Sequence, residues 1–345
     1  MKKSTLFIKA CLILSSMGWS QIDYFSSHSR FVQRDNFSFF GFNSLNKVGV
    51  LYNAIQIDNA QSMDNKYFFG ALSFDEKKFS LGIDFNSYKI EQTGFVLNLS
   101  NLVYVYQVKL SNSLYFLPAI SFGLGSKNIL LENIVFEDQL NQASGFINSK
   151  SIDPLSAQIG TVNYTDFGAP FIIHNDQFMM GFAIKHLNRP NVSFSKESKQ
   201  NLGISYVING GYEYNVNPYE NIFFPKHTYL LLYGSLSKQG NLSNMYLSQD
   251  LQLAGFSLGL NQQFSHLENF SMNNFGISVG LSLENFDIGL LYNFGIKNIK
   301  KPMLQAFLSS TSPLILVSSE EIHEGFIKEF KRTTIFRKWN PTAMQ

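Results

Sequence analysis

The chain has 345 residues, 15% of them aromatic and 15% charged, with a formal net charge of +2 and a single cysteine. At a mean hydropathy of −0.04, so few charges require apolar residues to be interleaved with polar ones and not gathered into long runs. There is no basic surplus for nucleic-acid binding and no cysteine framework for a disulfide scaffold, while the length fits two soluble domains or one large barrel.

Residues 1–20 are expected to be a secretory signal peptide: Lys2 and Lys3, an apolar region from Leu6 to Leu14, then Gly18-Trp19-Ser20 before a cut at Gln21. Cys11 would leave with it, so the mature chain would have no disulfide, thiol nucleophile or thiolate metal ligand. A lipoprotein role for Cys11 fits poorly, because Lys9-Ala10 precedes it and the apolar run continues past it. Losing Lys2, Lys3 and Lys9 takes the net charge from +2 to −1. No later stretch is apolar enough for a transmembrane helix.

Beyond the signal, a period of two recurs. Weak alternation over 46–56 and 66–74 leads into Phe79, Leu81, Ile83 and Phe85 set against Ser80, Gly82, Asp84 and Asn86. It returns over 94–108, 112–124, 167–174, 177–187, 202–216, 225–238 and 242–253. Phe256, Leu258 and Leu260 then oppose Ser257, Gly259 and Asn261. The clearest case runs from Phe275 to Phe294, where Phe275, Ile277, Val279, Leu281 and Leu283 face away from Gly276, Ser278, Gly280 and Ser282. After a two-residue reversal the pattern resumes at Phe286, and a last strand is expected near 302–309. Strands of about ten residues with one apolar face suit a membrane-spanning barrel. The predicted fold over 21–309 is therefore an all-β, antiparallel, up-and-down transmembrane barrel of about fourteen strands.

Connection lengths agree, since outer-membrane barrels have short periplasmic turns and longer external loops. Turns at 75–77, 111–113, 174–176, 254–255 and 284–285 are short, whereas 57–65, 125–166, 188–201 and 264–272 are longer. Two joints depart from this, a long 217–224 on the short side and a short 238–241 on the other. The stretch 125–166 is read as an external lid, plug or partner-binding loop. Residues 310–345, with Lys328, Lys331, Arg332, Arg337 and Lys338 among aromatics, are read as a periplasmic tail or an irregular last strand.

Candidate chemistry is sparse. Gly276-Ile277-Ser278-Val279-Gly280 spells a nucleophile-elbow pattern, but that motif needs a sharp strand-to-helix turn and Ser278 lies within a predicted strand. His174, His186 and His266 lack metal-site spacing; Asp166 or Asp176 could orient one of them. No glycine cluster cradles a phosphate, and the glycines are expected to relieve crowding on the inward face. Tyr104, Tyr106, Tyr115, Tyr212, Tyr214, Tyr229 and Tyr233 suit the interfacial girdles of a barrel. No cofactor, metal or catalytic residue is expected.

The run Asp166-Phe167-Gly168, followed by Gly181 and by His186-Leu187-Asn188-Arg189-Pro190-Asn191-Val192-Ser193-Phe194, resembles the hairpin of the PorP/SprF family of type IX secretion proteins. Phe136-Glu137-Asp138-Gln139-Leu140 resembles that family's long-loop segment, and Gly210-Gly211-Tyr212 and Ile288-Gly289-Leu290 resemble its later strands. Asn43-Ser44-Leu45-Asn46 replaces the family's usual opening, and the chain runs past Glu321-Ile322-His323-Glu324 to Gln345. The resemblance implies a Bacteroidetes-type outer-membrane protein without enzymatic activity. It would be embedded in outer-membrane lipid and act either as core secretion machinery beside periplasmic ring subunits or as a partner that exports or anchors a large cell-surface protein such as a gliding adhesin. Phe136, Asp138, Gln139, Asp166, Phe167, Gly168, Gly181, His186, Leu187, Pro190 and Phe194 are then the interaction candidates. A transporter or porin for small or hydrophobic molecules is the alternative, and a lipid hydrolase using Ser278 the remaining one.

Overall fold

The computed structural model describes residues 29–44, 46–56, 62–91, 94–129, 139, 160–194, 199–219, 223–226, 228–266, 270–283, 285–296 and 303–311. Within them lie fifteen strands: β1 Lys47–Gln56, β2 Ser62–Phe74, β3 Phe79–Ile90, β4 Phe95–Tyr106, β5 Val108–Lys109, β6 Tyr115–Ile129, β7 Val162–His174, β8 Phe178–Lys185, β9 Ser205–Asn215, β10 Thr228–Gln239, β11 Leu242–Leu253, β12 Phe256–His266, β13 Phe270–Leu283, β14 Phe286–Gly295 and β15 Met303–Thr311. Every pairing is antiparallel, and β1 pairs with both β2 and β15. Because β4 pairs with β6, the two-residue β5 is an appendage and fourteen strands close the barrel. Among the described residues no helix is long and apolar enough to cross a membrane.

Closure removes the exposed edges that hydrocarbon would leave without hydrogen-bond partners. Alternation then sorts side chains by environment. Phe79, Leu81, Ile83 and Phe85 lie on the outward face, while Ser80, Asp84 and Asn86 are buried inside. In β14, outward Phe286, Ile288, Leu290, Tyr292 and Phe294 flank inward Asp287 and Asn293. Strands reach further at the external end than their apolar alternation does. β7 begins at Val162 and not at 167, because Asn163 and Thr165 face outward there while the backbone still pairs with β6. Two-residue joints at 254–255 and 284–285 sit at the same end as both chain entries into the barrel, the periplasmic end. The two departures in loop length, after β9 and between β10 and β11, remain. The loop read as 125–166 is bounded by Ile129 and Val162, and apart from Gln139, Gly160 and Thr161 it lies outside the described residues, as does 312–345.

The lumen is filled. Residues 29–44 rise from the periplasmic end through a 3-10 turn at Val32–Arg34, reverse at Arg34–Asp35, and descend to β1 through a second 3-10 segment, Phe37–Ser44. Phe31, Val32, Phe37, Phe40 and Phe42 form one buried cluster with Leu51, Tyr67, Phe69, Val103, Val105, Leu117, Ile172 and Phe307 from the wall. Phe31 makes edge contacts with Tyr67, Phe69 and Phe307 at ring separations of 6.3, 5.6 and 5.6 Å. The wall is therefore two-sided in character. β2, β4 and β6 present mainly apolar side chains inward to the plug, whereas β9 to β14 set Tyr233, Tyr246 and Leu291 among the polar Asn209, Ser235, Ser248, Asp250, Ser257, Asn261, Ser278, Asp287 and Asn293. Gly82 exists for this packing, since a Cβ there would strike the ring of Phe40.

One group of tyrosines departs from the girdle expectation. Tyr104, Tyr106, Tyr212 and Tyr214 face outward and are exposed. Tyr233 is buried in the lumen and donates to Asp35 at 3.0 Å, and Tyr115 stacks on inward-facing His174. Parity explains the correction: Tyr233 alternates with outward Leu232 and Leu236, so Tyr229 shares its inward side.

Candidate functional site: the plug and the β7–β8 hairpin

The plug is tied at three levels. Near the periplasmic end Arg30 lies 3.4 Å from Asp287 and donates to Ser257 Oγ at 2.7 Å and Gln252 Oε1 at 3.2 Å, with both charged side chains largely withdrawn from solvent. Beside it Ser29 donates to Asp250. At mid-height Asn36 Nδ2 bridges Asn209 Oδ1 and the carbonyl of Phe171, each at 3.1 Å. Gly181 makes that bridge feasible, because its missing Cβ would meet the Asn36 and Asn209 amides. At the apex Arg34 donates to the Tyr88 hydroxyl at 2.9 Å, and Lys185 donates to the Arg34 carbonyl at 2.7 Å while lying over the Phe37 ring.

Lys185 is also the last residue of β8, next to the external latch. His186 takes a left-handed backbone, φ 60°, which stops the strand and turns its ring toward β7. His186 Nδ1 and Asp166 Oδ2 are 2.8 Å apart. Leu187 N–H donates to the Phe167 carbonyl, and Asn188 to that of Thr165. These bonds satisfy the edge of β7 where it has no β8 partner, because β7–β8 pairing stops at Ala169↔Ile184. Pro190 and Asn191 then lead the loop inward. Val192 and Leu202 bury against Tyr164, the Pro190 carbonyl accepts from Leu202 N–H, and Lys127 sits 4.3 Å from the Phe194 ring centre. Between plug and loop lies a cavity of about 390 Å³, bordered by Arg34, Asp84, Tyr88, Leu97 and Tyr164 among others.

The structure thus brings Asp166, Phe167, Gly168, His186, Leu187, Pro190 and Phe194 into one external hairpin and loop, and links them through Lys185 and Gly181 to the plug. Phe167 points outward and packs on Phe122. Gln139 is buried, while Phe136 and Asp138 lie outside the described residues. Sequence reasoning missed the plug. Its signal was Phe37-Ser38-Phe39-Phe40-Gly41-Phe42, an aromatic run with no period of two placed just before the first strand.

Ser278 is inside β13, accepts from Asn261 and donates to Asp250, so it has neither an elbow nor a histidine among these partners. His174 is buried against Phe42 and Tyr115, its Nε2 without a hydrogen-bond partner. The side chain of His266 lies outside the described residues. No cluster of three or more His, Cys, Asp or Glu is poised for a metal among the described residues.

Residues 36–308 match the type IX secretion system membrane protein PorP/SprF family. The chain belongs to that family. It is an outer-membrane component of type IX secretion, and the match begins inside the plug, at Asn36. Among solved structures, the PorP/SprF barrel is similar to Omp33 of Acinetobacter baumannii, with 7% identity, 79% of this chain and all of that chain covered, and a TM-score of 0.45. It is also similar to a variant of the TodX monoaromatic hydrocarbon channel, with 10% identity, coverage of 82% and 94%, and a TM-score of 0.50. A variant of the Rh. blastica porin matches at 8% identity, coverage of 78% and 99%, and a TM-score of 0.35. These likenesses concern the barrel fold alone. No curated protein matches the sequence.

Proposed function

We propose that this PorP/SprF protein is a non-enzymatic partner for one secreted cell-surface protein, held in the outer membrane as a plugged barrel that presents a protein-binding rim. The observation that carries this reading is the filled lumen. An apolar plug tied by Arg30, Asn36 and Arg34 suits a scaffold better than a diffusion path, which needs a water-filled or ligand-lined channel. The hairpin latch at Asp166 and His186 holds residues 186–194 against β7, and a pre-ordered rim segment reduces the ordering penalty of binding a large partner.

Deleting 130–161 while keeping both flanking strands should abolish secretion or surface retention of one cargo. Normal amounts of every surface protein, inside and outside the cell, would remove the proposal. Affinity purification from native membranes separates the two roles within secretion: a large surface protein marks a cargo partner, and periplasmic ring subunits mark core machinery. Transport of small molecules is the second reading, favoured by the cavity above the plug; stable single-channel conductance by the intact barrel would support it.

A further inference from the structure

The lipid-facing surface of β11 and β12 carries two glutamines. Gln249 alternates with inward Ser248 and Asp250, so it faces outward between Leu247 and Leu251, and its cross-strand neighbours are Leu232 and Leu260. Gln262 follows inward Asn261 and faces outward across from Leu247 and Phe275. Both amides are thus set among apolar side chains of the outer surface, level with exposed Leu260 and Ile277. Leu247 leans toward the bare backbone of Gly234, its Cδ2 3.2 Å from where a Cβ would stand.

The two side chains bond each other. Gln262 Nε2 donates to Gln249 Oε1 at 3.1 Å and Gln249 Nε2 to Gln262 Oε1 at 3.4 Å. This reciprocal pair uses one N–H and one acceptor position of each amide, and each amide has a second N–H and a further lone pair. Hydrocarbon has no water to satisfy them. The plug and the lumen lie on the other face of these strands, so closing and filling the barrel give no reason for polar side chains here.

We infer that the β11–β12 face is a lateral contact between two copies of this chain in the membrane. The capacity left on each amide is one donor and one acceptor, which is self-complementary. A two-fold axis along the membrane normal keeps both barrels in the same orientation and sets this face against itself, as an isologous dimer requires. Polar side chains within an apolar surface are a recurrent means of joining membrane segments.

The test is cysteine crosslinking of the full chain in outer membranes, in a Cys11→Ala background. Leu247→Cys or Leu251→Cys should give an oxidised product of twice the chain's mass, and Ile83→Cys, on the opposite wall, should not. Adding Gln249→Leu with Gln262→Leu should lower that product at least tenfold while the heat-modifiable, folded monomer band persists. Absence of the product from both positions, equal yield from Ile83→Cys, or a yield unchanged by the double leucine variant would overturn the inference. A crosslink of another mass would also overturn it, assigning the face to a different membrane protein.

Discussion

The β13–β14 and β7–β8 hairpins have the same antiparallel form and short periplasmic turns, yet only the first is regular throughout. In β13–β14 the register runs unbroken from Asn274↔Gly295 to Leu283↔Phe286, with apolar side chains outward and Ser278, Asp287 and Asn293 inward. In β7–β8 the pairing covers only Ala169↔Ile184 to His174↔Met179, after which His186 leaves the sheet in a left-handed conformation. The regular hairpin meets lipid on its outer face and, on its inner face, the lumen and Arg30 of the plug, which its alternation accommodates at Asp287. The irregular one meets the plug, the neighbouring loop and an unpaired β7 edge at once, and each contact demands a different residue. Departure from alternation here marks a strand end that meets several partners at once, whereas a single plug contact such as Asp287 fits within regular alternation.

Both hairpins also contact the plug, and the largest effect should come from the contact in the regular one. Removing the guanidinium with Arg30→Ala leaves Asp287 with Lys47 as its remaining cation, so the loss is at most the roughly 3–5 kcal/mol of a buried pair broken on one side. We expect a lower unfolding midpoint in detergent and protease access to 29–44, with the barrel's strand signal in circular dichroism retained. Restoration of both properties by Arg30→Ala with Asp287→Asn would tie the loss to the carboxylate left short of a cation; no restoration would place it in the lost bonds to Ser257 and Gln252, the lost packing on Phe307, or Lys47 deprived of Asp287.

Breaking the irregular hairpin should have a smaller and more local effect. His186→Ala removes the bond to Asp166 and should cost about 1–3 kcal/mol, read as faster proteolysis of the 186–204 loop. His186→Gly also loses the bond but relaxes the left-handed backbone, which is strained for a residue with a Cβ. It should therefore fall between wild type and His186→Ala. Equal damage from the two substitutions would assign the whole effect to the side chain.

The smallest change should follow Ser278→Ala in the regular hairpin. It removes one of three donors to Asp250, which keeps Ser29 and Ser248, and the acceptor of Asn261 Nδ2, a cost of about 1 kcal/mol. Membranes carrying the variant should hydrolyse lipid at the rate of wild-type membranes. A loss of activity specific to this substitution would give Ser278 a chemical role and would make the regular hairpin more than a scaffold.

The sequence by itself determined most of the strands, the faces of the regularly alternating ones and the closed membrane architecture. Those follow from local rules: a two-residue period against lipid on one side, and short connections that force antiparallel neighbours. The hairpin of Asp166 and His186 was also legible, through its ordered resemblance to a family. Tertiary structure alone decided that the lumen is plugged, that Tyr233 faces Asp35 and not lipid, and that Gly181 and Lys185 serve the plug. The physical reason is that residues 29–44 form no regular element whose period would disclose a buried face. Their burial depends on side chains from strands far along the chain, such as Asn209, Ser257 and Asp287, which only barrel closure brings to one place.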